Sequence, residues 1–249
     1  MIDLHHTTTP NGLKIAIMLE ETRLPHTVIP YDIFAGDHLK PEFKQINPNH
    51  KLPAIVDHDP PDKAGPFAVF ESGAILQYLA AKSDMLLSKD FRKHSLTLQW
   101  LTWQVAGLGP MVGQAAHFAR YAPTGQEYGI QRYTRELRRL LNVLDFRLSQ
   151  EEYLAIDFSI ADIACWPGVQ NIANMDIQMA EYPSMQRWSD AIKLRPSVFR
   201  ATQSAQTGVP AHYVKKRMTL TPEQWSNMFG DNMHQAVQQG RRPIDRLLE

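Results

Sequence analysis

Two short apolar runs, Ala54–Asp57 and Phe67–Phe70, lie only about nine residues apart across the Pro- and Asp-rich turn His58–Gly65. A parallel crossover needs a dozen or more residues, so this spacing allows only an antiparallel hairpin. Upstream, Ile2–His6 is a short strand candidate. It is closed by Thr7-Thr8-Thr9-Pro10-Asn11-Gly12, which reads as a turn and a helix start. Apolar residues at 13, 15–17 and 19 then predict a mostly buried helix, and the β-branched stretch Thr27–Ile33 predicts a return to strand. Pro41 opens a short helix anchored by Phe43 and Ile46, and Asn47-Pro48 ends it. Ser72–Lys82 is the next helical stretch. The resulting order is βαβ, a short helix, then ββα.

That order is the order of the thioredoxin fold, and it assigns residues 1–82 to one α/β domain. Ser83–Lys89 reads as a linker. Beyond it the strand signals stop: Phe91–Phe118 and Tyr128–Leu148 are long helical patterns, followed by Ser159–Asn174, Pro183–Leu194 and Pro196–Ala205. The expected fold class is therefore α/β plus all-α, with an all-helical domain over residues 90–207. From Gly208 the pattern weakens into an extension, 208–249. There Pro222–Met233 and Arg242–Leu248 read either as short helices packed on the body or as a mobile tail.

Local signals separate structure from chemistry in the helical part. Ser159-Ile-Ala-Asp162 is a variant capping box, with Phe158 and Ile163 placed as a hydrophobic staple, so Asp162 is given a capping role and no catalytic one. Cys165 follows one turn later between Ala164 and Trp166 and reads as a core residue. It is the only cysteine, which rules out an intrachain disulfide and a multi-cysteine zinc site, and it fits a reducing, cytoplasmic location.

Composition narrows the partners. A formal net charge of zero gives no whole-chain field favouring nucleic acid or an anionic membrane. Runs such as Arg138–Arg139 and Lys215–Arg217 read as solvated helix faces. The N-terminus Met1-Ile-Asp-Leu-His-His lacks the features of a signal peptide, and no stretch approaches the ~18 unbroken apolar residues of a membrane span.

Three separated motifs, Thr9-Pro10-Asn11-Gly12, Asn47-Pro48-Asn49-His50-Lys51-Leu52-Pro53-Ala54-Ile55-Val56-Asp57 and Phe70-Glu71-Ser72-Gly73-Ala74-Ile75-Leu76, resemble those of glutathione transferases. The helical part narrows the resemblance. Leu98–Met111, Arg132-Tyr133 and Ser159–Pro167 are similar to the nu class, the branch of disulfide-bond oxidoreductases related to the yeast nitrogen-catabolite regulator. The similarity spans roughly residues 1–205. It implies that glutathione is the co-substrate, that no metal takes part, and that the chain forms a homodimer.

The resemblance also distributes roles. Leu52-Pro53 stands at the family's cis-proline position, where the Leu52 backbone pairs with the peptide of the ligand like an added strand; from the residues alone, Lys51-Leu52-Pro53 is a loop entering a strand. Ser72 and the first free N–H groups of its helix suit the γ-glutamyl carboxylate. Glu71 suits the ammonium, and Ser72 alone would read as a cap. Lys51, with His38 or His50, is matched to the glycine carboxylate, although His38 stands where close relatives carry glutamine. Thr9 and Asn11 are matched to the glutathione sulfur. Their side chains and the helix dipole favour the thiolate, which is the reactive form of a thiol with an ordinary pKa near ~8.5; a plain turn and cap is the other reading.

Arg132 is matched to a residue that reaches a second glutathione from the partner subunit. Trp100, Trp103 and His117, with Phe118 at the rim, are expected to shape a second-substrate pocket, although two tryptophans one turn apart read on spacing alone as core packing. Gly107-Leu108-Gly109-Pro110 is expected to kink their helix. His5-His6 replaces an expected aromatic pair, and Tyr153–Asp157 lacks the usual glycine. The leading expectation is a glutathione-dependent disulfide reductase or transferase acting on a small disulfide or electrophile. A non-catalytic glutathione-binding regulator, or a specialised isomerase or ether-cleaving enzyme, stays open as an alternative.

Overall fold

The computed structural model describes residues 1–204, 206–207 and 217–239. The first domain runs β1 (Ile2–His6), α1 (Pro10–Thr22), β2 (His26–Pro30), α2 (Pro41–Ile46), β3 (Ala54–Asp57), β4 (Phe67–Phe70) and α3 (Ser72–Ser83). Its sheet order is β2-β1-β3-β4. β1 and β2 are parallel, with Ile2 opposite His26. β3 is antiparallel to β1 and to β4, with Ala54 opposite Phe70. The hairpin forced by the short turn is therefore present, and the architecture is thioredoxin-like.

α1 explains its own composition. Every residue from Gly12 to Leu19 is buried, because the helix lies between the sheet side and the second domain, touching α3 on its own domain and α7 and α9 on the other. Where α1 meets α9, Arg195 forks onto Glu21 at 2.6 and 3.0 Å and its guanidinium covers the Phe158 ring at 3.8 Å. A bidentate pair partly shielded from water fixes orientation better than an exposed one.

The helical part comprises α4 (Phe91–Trp103), α5 (Gly109–Arg120), α6 (Glu127–Gln150), α7 (Ile160–Val169), α8 (Pro183–Lys193), α9 (Pro196–Gln203), α10 (Pro222–Phe229) and α11 (Asp231–Gln238). Four expectations need correction. The stretch Phe91–Phe118 is not one helix: residues Gln104–Leu108 form a π turn between α4 and α5, with Gly109 N–H donating to Gln104 O. Pro110 has no N–H for the carbonyl four residues back, so the wider turn forms where an α-helical bond is already missing. A side chain at Gly109 would sit 2.7 Å from the Gln104 amide.

β2 stops at Pro30 rather than Ile33, because Asp32 Oδ1 accepts from Phe34 N and Ala35 N and turns the chain away. The helix starting after Ser159 ends at Val169 and continues only as a 3₁₀ turn, Ile172–Met175. Pro222–Met233 is broken at Gly230 into α10 and α11, and the Arg242–Leu248 stretch lies outside the described residues.

The described part of the extension is docked on both domains. Asn227 donates to Phe34 O at 2.8 Å, and Lys44 of α2 donates to the last carbonyls of α11, including Val237 O at 2.9 Å. On the helical side, Met218 N bonds Arg120 O at 3.0 Å and Arg217 bonds Ala122 O at 2.7 Å.

Candidate active site

The site begins where β1 hands over to α1. Thr9 adopts an extended backbone, and its hydroxyl accepts from Gly12 N at 3.2 Å, capping the helix. Because that bond uses an oxygen lone pair, the hydroxyl hydrogen stays available to donate elsewhere. The cap and the thiolate-donor readings of Thr9 thus describe compatible geometry. Gly12 is required here, since a Cβ would lie 2.3 Å from Thr7 O. Asn11, in the first turn of α1, is exposed at the positive end of the helix.

The facing wall is set by Asn47. Its amide donates to Lys51 O at 2.6 Å and its oxygen accepts from Asn49 N at 2.9 Å, which holds the loop that ends in the cis Leu52-Pro53 bond. The third wall is the β4–α3 junction. Glu71 there has φ 69 and ψ 117, a conformation that costs a non-glycine residue about 1–3 kcal/mol and that collects at functional sites. Asn11, Asn47, Asn49, Lys51, Leu52, Pro53, Glu71 and Ser72 together line a polar cleft of about 260 Å³.

A second, more apolar cleft of about 270 Å³ adjoins it. Asn11 lines both. The second cleft is walled by Val112, Gly113, Ala116 and His117 of α5, by Met175, and by Met228 and Phe229 of α10. It continues into a third space of about 330 Å³ that reaches Thr9, sharing Pro10, Arg120, Tyr121, Asn171 and Met228.

Two residues at this junction were not foreseen. Lys14 is 2 % exposed, yet it lines the apolar cleft, and its ammonium donates to Gln104 Oε1 at 3.0 Å with a longer contact of 3.5 Å to Ser72 Oγ. Burial lowers its pKa to about 8, and the nearby Glu71 carboxylate pulls it partway back. Lys14 carried one legible signal, a cation inside the buried pattern 13–19. Gln104 carried none, because the π turn that aims it inward shifts the helical register.

The structure gathers some expected residues and separates others. Thr9, Asn11, Lys51, Leu52, Pro53, Glu71, Ser72 and His117 line the connected clefts. His38 and His50 do not. They are 3 % and 1 % exposed and sit behind the wall, where His50 Nδ1 lies 2.7 Å from His38 O. His38 falls to about 4 through burial, reinforced by the Lys51 and His50 charges, so it is neutral near pH 7. Trp100 and Trp103 form an edge-to-face pair at 5.2 Å packed on the core and touch none of these clefts. Helical spacing placed them together, and core packing explains the pairing. Arg132 is exposed on α6, away from the clefts of its own chain.

Cys165 is fully buried in α7, and burial together with the Asp162 charge raises its thiol far above the reactive range. Asp162 is the cap expected of it: its carboxylate accepts from Ser159 N, Ser159 Oγ, Leu154 N and the Trp188 indole at 2.9–3.1 Å.

Comparison with known proteins then decides the family. The description "Glutathione S-transferase, N-terminal domain" matches residues 8–82. The disulfide-bond oxidoreductase YfcG of Escherichia coli is 48% identical over 209 residues, covering 84% of this chain and 97% of that protein. This chain belongs to the glutathione transferase family. Within the family it lies in the branch of YfcG and Ure2. A glutathione transferase from Pseudomonas putida, crystallised with one glutathione disulfide per subunit, is 39% identical, with a TM-score of 0.77 over 80% of this chain and 89% of that one. Ure2p in complex with glutathione is 32% identical, with a TM-score of 0.75 over 80% of this chain and 97% of that one. Among the described residues no helix is long and apolar enough to cross a membrane.

Proposed function

We propose that this transferase uses a bound glutathione thiolate to reduce small disulfides; its relatives YfcG and YghU of Escherichia coli are named disulfide-bond oxidoreductases. The observation that carries the proposal is the position of Asn11, which lines the polar cleft and the apolar cleft at once. A ligand lying in the polar cleft presents its middle there to a second substrate. Glutathione fits that cleft by chemistry. Its γ-glutamyl carboxylate meets Ser72 and the α3 N-terminus, its ammonium meets Glu71, its peptide pairs with the Leu52 backbone, and its glycine carboxylate meets Lys51. With His38 and His50 behind the wall, Asn49 is the neighbour that shares the glycine end with Lys51.

Thr9 and Asn11 then donate to the sulfur at the positive end of α1. The thiolate attacks one sulfur of the substrate disulfide, and a new S–S bond forms as the old one breaks. The departing thiolate takes a proton, and a second glutathione repeats the exchange on the mixed disulfide. Two electrons pass from two glutathione thiols to the substrate, leaving glutathione disulfide. No thiol of the protein takes part, since the buried Cys165 stays protonated.

We assign residues 1–82 to glutathione binding, 83–89 to a linker, 90–207 to the helical domain and 208–249 to a C-terminal extension, of which Met228 and Phe229 line the apolar cleft. We further propose a cytoplasmic homodimer in which Arg132 of one subunit approaches the site of the other. The exposure of Phe67 on edge strand β4, at 52%, is the kind of apolar surface a partner would cover. Glutathione-dependent reduction of hydroxyethyl disulfide, run beside conjugation of a chlorinated aromatic electrophile, tests the reaction. Asn11→Ala removes a hydrogen bond to a charged sulfur, about 1.5–3 kcal/mol, so disulfide reduction falls by roughly 10- to 150-fold. Unchanged kcat/KM in Asn11→Ala sinks the proposal.

A further inference from the structure

The apolar cleft beside Asn11 is closed by a segment that follows the helical domain. α10 places Met228 and Phe229 on its wall, opposite Val112 and Ala116 of α5. Phe229 meets the His117 ring edge-on at 4.7 Å and lies 5.5 Å from Tyr121, while Trp225 backs both at 5.1 Å from Phe229 and 5.8 Å from His117. This is a cage of rings joined across α5 and α10. Phe229 and Met228 are half-buried, and both line the cleft.

The wall is held in place from both sides. Asn227, one residue before Met228, is 5 % exposed and bonds Phe34 O, and it packs against Gly36 so closely that a Cβ there would lie 3.1 Å from its amide. Gly36 has φ 81, so the residue is suited to this approach on backbone grounds as well. At the other end, Lys44 holds the C-terminal carbonyls of α11. Two separate anchors on the first domain hold α10 and α11 against it.

We infer that α10 is the specificity wall of the second-substrate site, and that it selects small disulfides carrying an aromatic ring over aliphatic ones and over protein disulfides. The inference rests on the glutathione reading of the polar cleft. His117, Tyr121 and Phe229 of this cluster line the cleft, where they offer an aromatic ring of the substrate edge-to-face contact as well as burial. The cleft of about 270 Å³ opens into the adjoining space of about 330 Å³, and the two together are the size of a small-molecule site, enough for a ring-bearing substrate beside glutathione. Asn171 and Asn174 line the same space and offer amide groups to a polar end of the substrate.

The test measures binding of S-benzylglutathione and S-methylglutathione to the full chain by calorimetry, in the wild type, Phe229→Ala and Phe229→Leu. The wild type is expected to prefer the benzyl compound by about tenfold or more, the scale of burying one ring. Phe229→Ala should reduce that ratio to about threefold or less, and Phe229→Leu, which keeps the bulk and loses the ring, should fall between. In turnover, the wild type should reduce an aryl mixed disulfide of glutathione and leave insulin disulfides nearly untouched. An unchanged ratio in both Phe229 variants, or rapid reduction of insulin, overturns the wall while leaving glutathione binding intact. Failure of the wild type to bind either compound, or glutathione itself, overturns the glutathione reading and the wall with it.

Discussion

Asp162→Ala should destabilise the protein by an amount that grows as the solution is acidified. The carboxylate is fully buried and accepts four hydrogen bonds, three of them from N–H groups of Leu154, Ser159 and the Trp188 indole, while the Ser159 hydroxyl can rotate to another acceptor. Alanine leaves three buried donors unpaired, at about 1–3 kcal/mol each, or ~6 kcal/mol together. The same change removes a buried charge. Burial raises the Asp162 pKa from 3.8 to about 6, a difference of about two units, or ~3 kcal/mol at 1.36 kcal/mol per unit. At pH 8 the net deficit is therefore about 3 kcal/mol, which lowers Tm by roughly 6–12 °C for a chain of this size.

A carboxyl whose folded pKa is raised binds its proton more tightly in the folded state. Its stabilising contribution is complete below pH 3.8 and is lost as pH rises through 6. The wild type gains that contribution on acidification and the variant does not. The gap between them should widen by up to ~3 kcal/mol between pH 8 and pH 4. Urea unfolding followed by tryptophan fluorescence and circular dichroism at pH 8, 7, 6 and 5 measures the gap. A deficit that is below about 1 kcal/mol at pH 8, or that shrinks on acidification, would falsify this account of the cap.

Other outcomes follow from the same structure. The buried imidazoles of His6 and His38 are both held near 4 by burial, against 6.5 when unfolded; their stabilising effect is present above pH 6.5 and disappears as pH falls toward 4. Each accounts for up to about 3 kcal/mol, so replacing either with a neutral isostere, such as His38→Gln, should flatten the acid limb of an unfolding profile; an unaltered limb in both variants would count against their burial as neutral rings. Lys14→Met removes the ammonium that reaches Ser72 Oγ at 3.5 Å and should weaken glutathione binding through Ser72 by about tenfold, the scale of one hydrogen bond to a charged group. Calorimetry checks this, and equal affinity in the variant would show that Lys14 serves packing alone. Ser72→Ala should raise KM for glutathione about tenfold with a smaller change in kcat, because the group it loses binds the same end of the ligand throughout the reaction; an effect confined to kcat would contradict that placement.

Much of this architecture was legible because particular residues leave few alternatives. The nine-residue turn between Asp57 and Phe67 forces a hairpin, and β3 and β4 have the bounds that the apolar runs predict. Ser159 and Asp162 announce a capping box in four letters, and the structure adds Leu154 N–H and the Trp188 indole as further donors. What was not legible depends on register or on distant contacts. Gln104 points at Lys14 because a π turn shifts the helix, and a Gly-Leu-Gly-Pro run announces a disturbance without saying which side chain it redirects. Trp100 and Trp103 share a helix face with the expected pocket, yet that face meets the core. His38 sits behind the wall with its carbonyl 2.7 Å from His50 Nδ1, a contact between two loops that no local pattern announces. Packing of Pro222–Met233 on the body was one of two readings open in the sequence, since an amphipathic stretch specifies that it has an apolar face and leaves open what that face covers.

The central claim is that the reactive sulfur belongs to glutathione and sits at Asn11. Ultraviolet thiolate absorbance of the glutathione complex, recorded as a pH titration in the wild type, Asn11→Ala and Cys165→Ala, tests it most directly. The account predicts a thiolate that titrates well below the ordinary ~8.5 in the wild type and in Cys165→Ala, and that returns toward the ordinary value in Asn11→Ala. A complex with no thiolate signal at neutral pH, or a signal abolished by Cys165→Ala and untouched by Asn11→Ala, would contradict it.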